Sequence, residues 1–405
     1  MGDRLRRIGA VRGLGLLLGC AVVIFAVVIA SGCSSSSGER SDSSAADRRT
    51  STTACEAFGV RPGPGVDCPH PVTDPRTRPR EPPPSRTPTP QIGLRRAVGT
   101  KIMTSMSGTW PSRILLKRVR EGEVGGVLIF AANVSDRLPD AMRALRSAAK
   151  QGGGRGLIIA IDQEGGPVRR LSASPPTLSA RQMGAAGAKT AFAQGRATGE
   201  ALRATGINAD LAPVADVHGS GGFLAERSFA TSADAAAGGA CAFARGLREA
   251  RVHATLKHFP GLGQAQLNTD HNKVSLSTSR GKLLEEIEPY RRCAKRVAMV
   301  MLSNASYPAL AGTLPAAFNP AIIRALLRER LGFRGVTISD ALSAPGIAGP
   351  GAALRASRAG IDMLLYTDEN VSVLGYRELL AGLSAGRLSR TEVYGSARRI
   401  LALQE

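Results

Sequence analysis

The chain has 405 residues, 43% of them hydrophobic, and a formal net charge of +21. Six cysteines and five histidines at this length exclude a disulfide-built miniature scaffold and show no metal-ligand spacing, so no metal is expected. Aromatic residues make up 4% and no Lys/Arg run is interleaved with them, so the charge does not read as a nucleic-acid footprint. It fits either attraction to an anionic cell envelope or a plain compositional preference for Arg.

Arg4, Arg6, Arg7 and Arg12 precede an apolar run over 13–30, which ends in Ser31, Gly32 and Cys33 and passes into four serines. A charged n-region, an apolar h-region and small residues at the cleavage position make an export signal. The pattern resembles a bacterial lipoprotein signal. Residues 1–33 then form the signal segment, Cys33 carries the lipid, and the remainder is expected to be exported and lipid-anchored to the outer face of the cytoplasmic membrane. An uncleaved membrane anchor is the other reading, because the run is nearly long enough to span a bilayer. Leu18-Gly19-Cys20 forms a similar box, but apolar residues continue past it.

Residues 34–93 are dominated by Ser, Thr, Pro, Arg and Asp, with Glu81-Pro82-Pro83-Pro84 and Pro88-Thr89-Pro90 interrupting regular structure. Such a segment buries too little apolar surface to offset its ordering entropy, so a disordered tether is expected. Cys55 and Cys68 lie in it and, in an exported context, are a candidate disulfide. Residues 1–93 hold 12 Arg against 8 acids, which leaves about +17 for the rest of the chain.

Residues 94–405 read as one domain. Apolar runs at 126–130, 156–162, 209–214, 254–258, 298–302, 335–340 and 361–366 predict strands, and Ala/Leu/Arg-rich stretches such as 191–205, 233–250 and 320–331 predict helices between them. Strands apolar throughout, alternating with helices over this length, predict an α/β fold with a parallel sheet covered on both faces, specifically a (β/α)8 TIM-type barrel. No G-x-G-x-x-G comes after the first of these runs, which argues against a dinucleotide, and no cofactor is expected. Cys241 and Cys293 fall in helical patterns and read as buried free thiols. A monomer is expected.

Several strand ends carry chemistry. Asp162-Gln163-Glu164-Gly165-Gly166, running on to Arg170, brings acids and a glycine turn to the end of an apolar run, a set able to hold sugar hydroxyls by charge-assisted hydrogen bonds; Asp162 as a helix cap is the plainer reading. Asn208 through Asp216 offers acids that read as ties between strand ends. Arg227, in Glu226-Arg227-Ser228-Phe229, reads alone as a surface residue. Lys257-His258-Phe259-Pro260-Gly261-Leu262-Gly263 packs a cation, a histidine and two glycines at a strand end. Asp340 ends an apolar strand, where a carboxylate is costly to bury without a role and can act as a nucleophile on an anomeric carbon. Gly382-Leu383-Ser384-Ala385-Gly386 matches a nucleophile-elbow pattern but lies after a helical stretch, so it reads as a helix end and loop.

Together these stretches resemble glycoside hydrolase family 3, in its single-barrel β-N-acetylglucosaminidase branch, over about residues 93–405. The resemblance implies that Asp162, Arg170, Arg227, Lys257 and His258 hold a terminal N-acetylglucosamine and that Asp340 is the nucleophile of a retaining, exo-acting hydrolase of cell-wall fragments. A carbohydrate is thus the expected substrate; nucleic acid is not an expected partner. One departure stands out. Where the branch carries Asp-Ser-His in a mobile loop, with His as acid/base, this chain reads Asn268-Thr269-Asp270, with His271 next. Either a one-residue insertion brings Asp270-His271 to the site, or Asp270 is itself the acid/base, or the acid step is impaired. Leu262, Pro167 and Asn304 also replace family His, Arg and His residues. β-Glucosidase activity and a sugar-binding lipoprotein without turnover are the alternatives.

Overall fold

The computed structural model describes residues 92–154, 156–218 and 222–404. Cys33, Cys55, Cys68 and the tether up to residue 91 lie outside the described residues.

Eight parallel strands form one sheet: β1 (Ile102–Ser105), β2 (Gly126–Ile129), β3 (Ile158–Ile161), β4 (Ala209–Asp210), β5 (His253–Phe259), β6 (Met299–Leu302), β7 (Val336–Ser339) and β8 (Leu364–Leu365). Each pairs with its sequence neighbours, and β8 pairs with β1. A bridge from Ile338 to Met363 and the hydrogen bond from Leu342 N to Leu365 O bring β7 and β8 together and close the ring. The product is the expected α/β barrel.

Two apolar layers explain why the strand runs show no polar face. Along β3, Ile158 and Ala160 point into the barrel, where they meet Met103, Leu128, Met299, Met301, Val336, Ile338 and Met363. Ile159 and Ile161 point outward into the layer beneath the helices. Both faces are buried, so both must be apolar. The period of two also fixes where the residue after each strand points. Phe130, Asp162, Asp340 and Thr367 continue the inward-facing series of β2, β3, β7 and β8, and all four line one cavity at the C-terminal rim.

The helices cover the wall. Ala188–Ala204 and Ala233–Glu249 approach closely because Gly195 and Gly199 face Phe243, Leu247 and Ala250. The Gly-x-Ser-x-Gly stretch is the end of helix Glu369–Ser384 and its loop, with Gly386 at φ +67°.

Three expectations are corrected. The first barrel strand, Ile102–Ser105, lies upstream of the first strand predicted from sequence. Strand 209–214 is only Ala209–Asp210 in regular pairing, because Pro213 has no N–H to give the ladder; Val214 rejoins it through a single bridge to Lys257. Cys241 and Cys293 are not free thiols: they form a disulfide, with Cα atoms 5.6 Å apart. It joins helix Ala233–Glu249 to helix Glu288–Cys293 across a separation of 52 residues, a span for which loop-closure entropy corresponds to about 4 kcal/mol.

Candidate active site

The cavity at the rim has a volume of about 460 Å³ and is lined by residues from all around the ring, among them Asp162, Glu164, Arg170, Arg227, Lys257, His258, Asp270, His271 and Asp340. Every candidate catalytic and substrate-binding residue read from the sequence is therefore in one place. Asp340 faces the same space as Asp162 and Lys257.

One side of the cavity is a saturated charge network. Lys257 Nζ lies 2.7 Å from Asp162 Oδ1 and 2.6 Å from Glu164 Oε1. Arg227 grips Glu164 bidentately, with Nε to Oε2 and Nη2 to Oε1 both at 2.8 Å. Burial works against the Glu164 carboxylate, but Arg227 and Lys257 outweigh it and hold its pKa well below the usual carboxylate range. Burial likewise disfavours the Lys257 cation, and Asp162 and Glu164 reverse that and raise its pKa. Arg227 is no surface residue: its side chain is 16% exposed and spoken for. Glu164 organises this side and was not singled out from the sequence; its neighbours in the Asp162–Arg170 stretch were the only signal. Asp162 lines the cavity, and among the described residues its side chain accepts from Lys257 alone.

His258 is held from behind. Its Nδ1 sits 2.7 Å from Asp216 Oδ2, the geometry of an N–H donating to a carboxylate, and Asp216 Oδ1 accepts from the backbone N–H groups of His258 and Leu262 at 3.0 and 2.8 Å. Asp216 thus sets the ring's tautomer and angle. Lys257 and His258 both line the cavity although they are consecutive, and the β5–β6 register shifts between Leu256 and Phe259. The next turn needs glycine: Gly261 has φ +141°, and a Cβ on Gly263 would collide with the Val217 carbonyl. Asp210 accepts from Gln163 N at 3.0 Å. The acids of 208–216 do tie strand ends together.

The other side is sparse. Asp340 is 8% exposed, and its Oδ1 accepts from Ala341 N at 2.7 Å. Burial raises its pKa; the nearby His258 opposes this and Asp270 adds to it. Asn304 donates from Nδ2 to Ala341 O at 2.9 Å, bracing the residue after Asp340, while its Oδ1 is buried without a partner among the described residues. Arg170 sits with its guanidinium 5.8 Å from the Phe130 ring centroid, and its Nε is likewise buried and unpartnered among the described residues. Asp270 and His271 are exposed on a turn organised by Asn268, whose side-chain and main-chain oxygens accept from the N–H groups of Asp270, His271 and Asn272. Thr269, between them and the turn's start, is buried.

A closed parallel barrel with buried carboxylates and paired cations gathered at its C-terminal rim defines a barrel enzyme built for a polar, hydroxyl-rich substrate. Comparison with known proteins narrows this to a family. Residues 101–403 match the glycosyl hydrolase family 3 N-terminal domain, and the chain belongs to that family. It is 38% identical over 336 residues to an uncharacterized secreted glycosyl hydrolase of Arthroderma benhamiae, covering 78% of this chain and 95% of that protein. A family 3 β-N-acetylglucosaminidase from a Paenibacillus species superposes with a TM-score of 0.74 at 32% identity, covering 77% of this chain and 62% of that one. The β-N-acetylhexosaminidase of Beutenbergia cavernae gives 0.71 at 30%, covering 77% and 98%. The protein is a glycoside hydrolase similar to the β-N-acetylhexosaminidases.

Proposed function

We propose that the protein is a retaining exo-β-N-acetylglucosaminidase that removes terminal β-linked N-acetylglucosamine from cell-wall fragments, with Asp340 as nucleophile. The observation that carries this reading is the shared cavity: a nearly unpartnered carboxyl group faces a network of Asp162, Glu164, Arg227 and Lys257 across about 460 Å³. The network, with His258 and Arg170, holds the terminal sugar by charge-assisted hydrogen bonds.

In the first step an Asp340 oxygen attacks the anomeric carbon. A carbon–oxygen ester bond forms, the glycosidic bond breaks, and the departing oxygen takes a proton from the acid. In the second step water attacks the same carbon, gives its proton to the base and releases Asp340. Asp270 is assigned as that acid/base. Burial is the main cause of the raised Asp340 pKa and the Asp270 charge adds to it, so the two carboxyls act on one another across the cavity. Asp340 acts as the carboxylate nucleophile, and Asp270 gives the proton to the departing oxygen and later takes one from water.

Release of chromophore from an aryl β-N-acetylglucosaminide tests the assignment. Turnover is expected to vanish in Asp340→Asn. Asp270→Ala is expected to slow a poor leaving group far more than an activated one and to respond to azide, whereas His271→Ala is expected to act weakly; the reverse pattern moves the acid/base role to His271. Preference for the aryl glucoside would make the enzyme a β-glucosidase, and sugar binding without release would make it a binding protein.

The site is placed outside the cell by the reading of residues 1–33 as a lipoprotein signal, with Cys33 lipidated and 34–93 as the tether. Incorporation of labelled fatty acid, lost in Cys33→Ala, is the expected result; a protein released without label contradicts the anchor.

A further inference from the structure

The outer wall of the barrel carries a second concavity, far from the rim. It lies between helix Ala233–Glu249 and the segment Glu288–Arg296, with a volume of about 390 Å³. Arg248, Arg296, Ala244 and Val297 also line a neighbouring cavity of about 430 Å³ that reaches His253 at the start of β5, so the two form one continuous groove toward the N-terminal end of the strands.

The charged side chains lining this groove are of one sign. Arg245, Arg248, Arg292 and Arg296 line the first part, Lys295 joins them in the second, and no acid lines either part among the described residues. Arg292 is neutralised by Asp234 Oδ1 at 2.9 Å and Glu288 Oε1 at 3.0 Å. The other four make no ion pair among the described residues. Arg245 lies 4.5 Å from the Phe192 ring centroid, which fixes the plane of its guanidinium. Arg248 is anchored to the Arg296 carbonyl at 3.2 Å. The Cys241–Cys293 disulfide ties the two walls of the groove together.

Basic residues in the last turn of a helix complement its dipole, and Arg248 serves that end. That role does not call for four unneutralised cations along one groove, where mutual repulsion acts within about a Debye length. A strand of negative charges relieves the repulsion and releases its own counterions on binding. Arginine predominates over lysine here, and its planar fork matches phosphate oxygens bidentately.

We infer that this groove is a binding site for a linear phosphate-bearing polyanion, laid along the outer wall over Arg245, Arg248, Lys295 and Arg296. The site is separate from the catalytic cavity, so the enzyme can hold an anionic polymer while its rim remains open to glycan.

The test is titration of the full chain with inorganic polyphosphate at several salt concentrations. The triple variant Arg245→Ala/Arg248→Ala/Arg296→Ala is expected to weaken binding tenfold or more and to flatten the dependence of log Kd on log salt by about 2, on the basis of roughly 0.7 per phosphate contact on a single strand. A control triple, Arg377→Ala/Arg387→Ala/Arg390→Ala, removes the same charge from other exposed arginines and is expected to change Kd less than twofold. Polyglutamate of matched charge is expected to bind at least threefold more weakly than polyphosphate. Equal losses in the two triples would show a diffuse attraction of the +21 chain and overturn the site; equal affinity for the two polymers would overturn the phosphate assignment; no binding by the unmutated chain would overturn both. Unchanged aryl-glycoside hydrolysis and melting temperature in the triples establish that they are folded.

Discussion

Two buried aspartates on neighbouring segments, Asp340 and Asp362, have opposite surroundings. Asp362 sits at the N-terminal end of the barrel, fully buried, and receives Arg328 Nη2 at 2.6 Å, Arg399 Nη2 at 2.7 Å, Ser396 Oγ at 2.8 Å and Thr337 N at 3.0 Å. Burial would raise its pKa, but Arg399 and Arg328 outweigh that and lower it. Asp340, at the C-terminal end of β7, has the Ala341 N–H and a raised pKa. The same side chain is a structural anion where its oxygens are filled and a candidate nucleophile where they are left open. The barrel separates the two roles by strand end, with stability below and chemistry above.

The largest expected effect is on turnover. Asp340→Asn should cost about 10³-fold or more in kcat/KM without lowering the melting temperature, because a raised native pKa means that the ionised carboxylate costs stability at neutral pH. Activity within tenfold of the original would remove Asp340 from the reaction. Asp362→Ala should do the converse. It leaves Arg328, Arg399 and Lys101 beside an uncompensated buried site and should cost about 3–5 kcal/mol in urea denaturation, with turnover per folded molecule unchanged. Since the folded-state pKa of Asp362 is depressed, its contribution is present above its unfolded pKa and is lost as pH falls through the folded value; a stability difference between the two proteins that persists in strong acid would contradict the network.

Glu164→Gln tests a filled carboxylate at the reactive end and blurs the division on purpose. Lys257 and Arg227 lose their shared anion, so both stability and KM should suffer, by about 1–3 kcal/mol each. An effect on one alone would assign Glu164 to a single role. The smallest effect is a shift in pH profile. Removing the Asp270 charge in Asp270→Asn should move the acidic limb of kcat/KM, set by Asp340, to lower pH on an activated substrate. An unmoved limb would mean that the two carboxyls do not interact.

Much of this was legible in sequence because a parallel barrel repeats one rule: an apolar run buried on both faces, then a side chain delivered to the rim. That rule located Asp162 and Asp340. It failed for Ile102–Ser105, four residues ending in Thr104 and Ser105, whose place in the barrel comes from pairing with β2 and β8. Arg227 was legible only through family resemblance, because its partner Glu164 lies 63 residues away. The turn at Asn268–Asn272 reads as a departure from the family pattern, yet its place at the cavity mouth depends on how it packs.

The order of residues alone determined the strand–helix alternation, the glycine turn after Lys257-His258 and the carboxylates at strand ends, since these arise from local periodicity and backbone freedom. Only the tertiary structure decided which charges are satisfied: that Glu164 is clamped, that Asp340 is left open, and that Cys241 meets Cys293. Those outcomes depend on groups distant in sequence meeting within hydrogen-bonding or bonding distance, and a chain encodes such meetings only through its closed fold.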